Sequence, residues 1–250
     1  MHKLHVVRGP RQAFDRIRLD EALFRDPLKR TWLVLDGVGE RFDRVSVILG
    51  ISGKIPVLVH EPEARRDGVE LLRRFTGGGT VVVDSNAFLI SIIGNASQLS
   101  SRGGVKPFPR ELMQWSANCI YTPAFAHSRS NPEVELSFRE NDYVINQRAK
   151  VAGNAQAISG DRFCHHTSFL WRVDPKSMSY LKHPDKMPEY RADRSHLDFL
   201  LGLESMLECK EVFEDQVLLQ LQRNLDVDQV VFPPHPSMPP FVAPSRNRIC

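Results

Sequence analysis

The sequence predicts an α+β domain in which mixed or antiparallel sheets are flanked by helices. Three observations predict it. Short apolar, β-rich runs recur between Thr31 and Ile93. A second series of such runs, between Val134 and Val173, is joined by short turns. Longer stretches with apolar residues at helical spacing stand before, between and after these runs. Strand clusters with helices packed on a face define this class.

Taken in order, VRGPRQAFDRIRLDEALF opens the chain as a basic run through Arg8, Arg11, Arg16 and Arg18 that leads into a helix. Its richness in Arg is faintly transit-like, but its continuity with a helical pattern assigns it to the domain. Thr31–Leu35 and Val45–Gly50 read as a pair of strands separated by a loop containing Gly37 and Gly39. Pro62–Arg74 reads as a helix despite Gly68. Thr80–Val83 and Ala87–Ile93 are apolar β-rich runs and read as strands.

Pro109–Tyr121, with Leu112, Trp115, Ala117 and Ile120 at helical spacing, reads as a buried helix. Val134–Phe138, Tyr143–Ile145, Lys150–Ile158 and His166–Val173 read as successive strands. Glu211–Leu225 sets Val217, Leu218, Leu221 and Leu225 on one side of a closing helix. Residues 1–225 are expected to form one domain. Residues 226–250, ending in FPPHPSMPPFVAPSRNRIC, form a proline-rich tail expected to be extended or disordered.

Composition excludes several classes. At 250 residues the chain can bury one sizeable core, and 33 Lys and Arg against 30 Asp and Glu leave only +3, too balanced for a nucleic-acid binder. Cys119, Cys164, Cys209 and Cys250 are scattered without a C-x-x-C step, so neither a disulfide framework nor a zinc site is expected. No apolar run approaches the roughly 20 residues of a membrane span, and the start has no signal-peptide apolar region. These features predict an intracellular protein, cytoplasmic or, in a eukaryote, mitochondrial.

Two segments carry chemistry. RRFTGGGTVVVD, from Arg73 to Asp84, sets two cations and three consecutive glycines before a β-branched run. Gly77, Gly78 and Gly79 lack Cβ, so the backbone can turn sharply and let a ligand approach its N–H groups. The pattern is neither a Walker loop nor a G-x-G-x-x-G turn. Far down the chain, KVAGNAQAISGDRFCHHTSFLWRVD, from Lys150 to Asp174, pairs a lysine with small residues and a His-His step. His165 and His166, adjacent on a strand, point to opposite faces, so they make a poor metal site and at most one faces a pocket.

Together these segments resemble the lipoate-protein ligase family, whose catalytic domain carries an RRxxGGGxVxxD strand and, later, a KxxGxAxxxxxxxxxHHxxxL pattern. Lys150, Gly153, Ala155, His165, His166 and Leu170 stand at matching positions, and ENDYVI with Asn141 and Asp142 resembles the family's Asn-Asp step. HPDKMPEYRADRSHLDFL, from His183, resembles the family's Pro-Asp-Lys segment and the Arg-Ser loop after it. Val83 stands where bacterial relatives often carry a histidine, and Thr167-Ser168 where a Gly-Thr step is common.

The resemblance implies a biotin/lipoate ligase-like fold and an enzyme that activates lipoate or octanoate with ATP and Mg2+. It would pass the acyl group to a lysine of a lipoyl-carrier domain, of a 2-oxoacid dehydrogenase or a glycine-cleavage H protein, with an accessory domain as a further partner. Lys150 is the implied catalytic residue. Its compact ammonium suits it to bridge the α-phosphate and the acyl oxygen. Arg73, Arg74, Gly77, Gly78, Gly79, Thr80, Asn141, Asp142, Gly153, Ala155, His165 and His166 are the implied binding residues, and Asp84 is a further candidate beside the nucleotide. Two alternatives stay open: an octanoyl transferase working through a cysteine, for which Cys164 is the only thiol near a motif, and a non-catalytic lipoyl-domain binder. Biotin ligation is disfavoured because RRFTGGGT replaces a Gly-Arg-Gly-Arg loop.

Overall fold

The computed structural model describes residues 2–36, 42–99, 105–184, 187–225 and 227–233. Among them the strands are β1 (Lys3–Arg8), β2 (Thr31–Leu35), β3 (Ser46–Leu49), β4 (Glu70–Arg73), β5 (Val81–Val83), β6 (Ala87–Asn95), β7 (Leu136–Arg139), β8 (Asp142–Ile145), β9 (Ala149–Ser159), β10 (Arg162–Leu170) and β11 (Gln229–Val231). They build an eight-stranded sheet, β11-β1-β2-β6-β10-β9-β8-β7, and a three-stranded sheet, β4-β3-β5. β1 pairs in parallel with β2 and β11, whereas the remaining pairings of the large sheet are antiparallel. The α+β class expected from the strand clusters holds.

Helices cover both faces of the large sheet. On one face, Leu112, Trp115, Ile120 and Phe125 of the 109–128 helical run and Phe213, Val217 and Leu221 of the closing helix Lys210–Asn224 pack on Phe88, Ile90, Phe163 and Phe169. The 109–128 run is a buried helix, as its apolar spacing predicts, but it widens into a π-helical stretch at Ser116–Tyr121 before resuming at Thr122–Ser128. Pro123 has no N–H for the carbonyl four residues back. That carbonyl, of Cys119, accepts instead from Asn224 Nδ2 at 3.0 Å.

The opposite face carries the helix Ala13–Phe24 and the small sheet. Arg16 of this helix is fully buried, ion-paired with Asp20, and donates to the carbonyls of Val34 and Leu89 and to Ser91 Oγ. The basic opening run therefore supplies β1 and a core helix.

Three elements differ from the sequence reading. β2 and β3 lie in different sheets and do not pair. The helix expected over 62–74 ends at Arg66, because Gly68 at φ +70° turns the chain into β4, which pairs in parallel with β3. In the segment assigned to the tail, Gln229–Val231 adds a strand beside β1. Residues 234–250, and the loop glycines Gly37 and Gly39, lie outside the described residues. Among the described residues no helix is long and apolar enough to cross a membrane.

Glu214 in the closing helix is 4% exposed and paired with Arg8, yet burial, the largest influence, pushes its carboxyl up to about 7. A carboxyl raised by folding stabilises the native state below its unfolded value and loses that contribution as pH rises through the folded one. The protein is therefore expected to lose stability between about pH 5 and pH 8, by an amount on the order of 2 kcal/mol from this group. Glu214→Gln should flatten that part of the Tm profile; an unchanged slope would remove Glu214 as its source.

Candidate active site

The triple-glycine bend is held by Arg74 and seated on β9. Arg74 is 5% exposed, and its guanidinium donates to the carbonyls of Ile48 (3.1 Å), Gly77 (3.0 Å) and Gly79 (2.5 Å). Burial pulls its pKa down to about 10. The Gly77 N–H donates to the Gln156 carbonyl of β9 at 2.9 Å. Gly78 sits at φ +99°, and a Cβ there would come within 2.9 Å of both the Asn154 carbonyl oxygen and Arg74 Nη2. Only glycine tolerates that approach and that backbone conformation. Gly78 and Gly79 are exposed, and a Cβ on Gly79 would meet nothing within 4 Å.

On the same strand, Lys150 lies over Gly153. A Cβ built on Gly153 would stand 3.5 Å from Lys150 Nζ and 3.7 Å from Ser168 Oγ. The ammonium is one-quarter exposed and pairs with Asp142 Oδ1 at 2.8 Å. A register shift between Tyr143 and Val144 of β8, a β-bulge, precedes the Val144–Lys150 pairing. Such bulges re-aim side chains. Directly paired residues share a sheet face, so the pairs Gly153–Ser168, Ala155–His166 and Ala157–Cys164 lie on one face of the sheet. This face carries the Lys150 ammonium beside Gly153 and, beside His166, the ring of Phe75, edge-on to His166 and in contact with Phe24.

The two histidines do lie on opposite faces. His165 faces the 109–128 helix: Nδ1 is 2.8 Å from Gln156 Nε2 and Nε2 is 3.1 Å from Ser116 Oγ, which also contacts Tyr143 Oη at 2.7 Å. Burial first, then the charge of His166, pulls His165 down to about 3, so it is a neutral member of a core network. His166 faces the opposite side, that of Gly153 and Ala155, with Nδ1 3.0 Å from Asp20 Oδ2 and Nε2 3.3 Å from Cys164 Sγ. Burial raises Asp20, but Arg16 and His166 outweigh it and hold the carboxyl below its usual range. Cys164 is fully buried, and burial followed by the Asp20 charge pushes its thiol well up.

A family model, the lipoyl protein ligase A/B catalytic domain, matches residues 41–217. The chain belongs to this family. It is 28% identical over 265 aligned residues to the inactive lipoate–protein ligase 2 of Plasmodium falciparum, covering 87% of this chain and 68% of that one. Among solved structures, the bipartite lipoate protein ligase of Thermoplasma acidophilum, studied with its E2 lipoyl domain, superposes with a TM-score of 0.66 at 18% identity, over 92% of this chain and 88% of that one. A lipoate-protein ligase A bound with ATP superposes with the same TM-score at 16% identity, over 92% and 89%. At these identities the structural likeness shows the ligase fold.

Within this ligase-family fold, several sequence candidates have structural duties. The Nη1 of Arg73 is committed to the carbonyls of Gly50, Ile51 and Gly53 at 2.7–3.1 Å. Asp84 closes a turn by accepting from the Asn86 N–H at 2.7 Å. The Asn141 carbonyl accepts from Asn154 Nδ2 at 3.0 Å, which ties the turn before β8 to β9. Thr80 Oγ1 and Thr76 Oγ1 are buried at the bend, and Gln156 Oε1 on the His165 side of β9, without hydrogen-bond partners among the described residues. Sequence reasoning noted Ser168 only as a departure from the family's Gly-Thr step, and it missed Gln156 and Tyr190, whose hydroxyl donates to Asp142 Oδ2 at 2.8 Å. The tyrosine stands in the Pro-Asp-Lys segment singled out by resemblance, and its distance in sequence from Asp142 gave no signal of contact.

Proposed function

We propose that this chain is an ATP-dependent ligase that activates lipoate or octanoate as the acyl-adenylate and transfers the acyl group to a lysine of a lipoyl-carrier domain. One observation carries the reading: the triple-glycine bend docks on β9 at Asn154–Gln156, next to Gly153, over which the Lys150 ammonium lies. The orphaned hydroxyls of Thr76 and Thr80, the exposed backbone at Gly78 and Gly79, and the partly exposed Lys150 ammonium, held by Asp142, suit an anionic, hydrogen-bonding ligand.

In the first step a carboxylate oxygen attacks the α-phosphorus and pyrophosphate leaves. In the second, the acceptor amine attacks the acyl carbon, AMP leaves, and the amine gives up a proton. Negative charge builds on the α-phosphate in the first step and on the acyl oxygen in the second. In this reading Lys150 neutralises both, and a preformed donor at the site of developing charge lowers the barrier most. The small floor of Gly153 and Ala155 accepts an extended acyl chain. Mg2+ would be held chiefly by the phosphates of the nucleotide, where it would supply charge neutralisation. An accessory polypeptide, as in the bipartite neighbour, is an expected partner for activation.

A cysteine-dependent transferase is disfavoured by the burial and raised pKa of Cys164, because the thiolate is the nucleophile. Cys164→Ser is expected to leave turnover within about twofold; a loss beyond about a hundredfold would restore the transferase. A second reading, a lipoyl-domain binder without activation, is favoured by the similarity to a relative named inactive. The test is incubation of the pure chain with ATP, Mg2+, lipoate and an acceptor domain. Lipoate-dependent pyrophosphate release with a lipoyl mass gain supports the ligase. Acceptor binding without pyrophosphate release supports the binder.

A further inference from the structure

Asp142 uses both carboxylate oxygens: Oδ1 holds Lys150 Nζ at 2.8 Å and Oδ2 accepts from the Tyr190 hydroxyl at 2.8 Å. Tyr190 belongs to the short helical turn Glu189–Arg191, on a segment well separated in sequence from β8. A second contact fixes that turn. Glu140, at φ +54° beside the Asn-Asp step, accepts the backbone N–H groups of Glu189 and Tyr190 at 3.1 and 3.2 Å. The ring is 8% exposed, packed on Phe199 at 5.2 Å and capped by the Arg139 guanidinium at 4.9 Å. The packed ring holds its hydroxyl on Asp142. Burial and the adjacent carboxylate both push the phenol well above its ordinary pKa, which keeps it a proton donor.

We propose that Tyr190 is a positioning residue for the ligation site: through Asp142 it sets where the Lys150 ammonium stands over Gly153. A carboxylate tied by a single ion pair can swing about its terminal torsion, and the ammonium on its flexible stem swings with it. The phenol locks the carboxylate plane, so the cation waits at one point. Catalysis that depends on a preplaced charge is sensitive to such a lock.

The inference rests on the ligase reading, and a double-mutant cycle separates the two. Tyr190→Phe keeps the ring on Phe199 and Arg139 and removes only the hydroxyl. We expect it to lower kcat for lipoate-dependent pyrophosphate release about tenfold, with KM for lipoate and ATP within about twofold and a Tm lowered by no more than the loss of one hydrogen bond to a buried carboxylate. Asp142→Asn should lower kcat further, and the double variant should be no worse than Asp142→Asn alone, because both changes act through one carboxylate. The same cycle is read in the affinity for a non-hydrolysable lipoyl-sulfamoyl adenosine, measured by calorimetry. Additive losses, an unchanged kcat in Tyr190→Phe, or an effect confined to KM would overturn the proposal while leaving the ligase reading intact. A native chain that neither releases pyrophosphate nor binds the analogue would overturn both.

Discussion

Lys150→Ala is expected to cut acyl transfer by at least about a hundredfold, a loss of roughly 3 kcal/mol of transition-state stabilisation. The expectation follows from where the ammonium stands: one-quarter exposed, over a glycine floor, on the strand that carries the triple-glycine bend. The fold should tolerate the change. Removing the cation leaves Asp142 with its Tyr190 hydrogen bond, and Leu201 still donates to the backbone carbonyl at position 150 at 2.8 Å. Single-turnover rates with isolated lipoyl-adenylate would separate transfer from activation. If transfer proceeds at near-native rate, Lys150 leaves the mechanism.

Arg74→Met is expected to abolish activity by a different route, through the architecture of the bend. Three backbone carbonyls, of Ile48, Gly77 and Gly79, would lose the guanidinium donors they now share. Only the Ile48 carbonyl is fully buried, and a buried carbonyl left unpartnered costs about 1–3 kcal/mol, so a destabilisation of about 1–3 kcal/mol is expected, together with at least about a hundredfold fall in kcat/KM. Arg74→Lys should rescue little, since an ammonium cannot reproduce the planar fork that spans the bend. Thermal denaturation alongside kinetics tests this. Full stability with lost activity would show that Arg74 contacts ligand instead of shaping the loop.

That contrast shows what was legible in the sequence. The glycine run, the small residues Gly153 and Ala155, and Lys150 announce themselves because close approach and charge demand those residue types. Their convergence on β9 follows from a sheet whose strands the β-branched runs predict. The role of Arg74 was hidden, since a forked donor suits phosphate and carbonyls equally well, and only tertiary placement decides between them. The helix expected over 62–74 concealed β4 because its partner, β3, lies 24 residues earlier in a parallel pairing that local periodicity cannot reveal. The β1–β11 pairing joins the two ends of the described chain and is equally invisible locally. Of the two histidines, alternation along a strand gave the opposite faces. Burial against Ser116 and Gln156 decided that His165 belongs to the core.

The central claim is that the triple-glycine bend and the Lys150 strand serve one ligand. Hydrogen exchange of the native chain with and without non-hydrolysable lipoyl-sulfamoyl adenosine tests it most directly. Simultaneous slowing of the amides at 76–80 and 150–156 is predicted, and slowing in one of these segments without the other would contradict it.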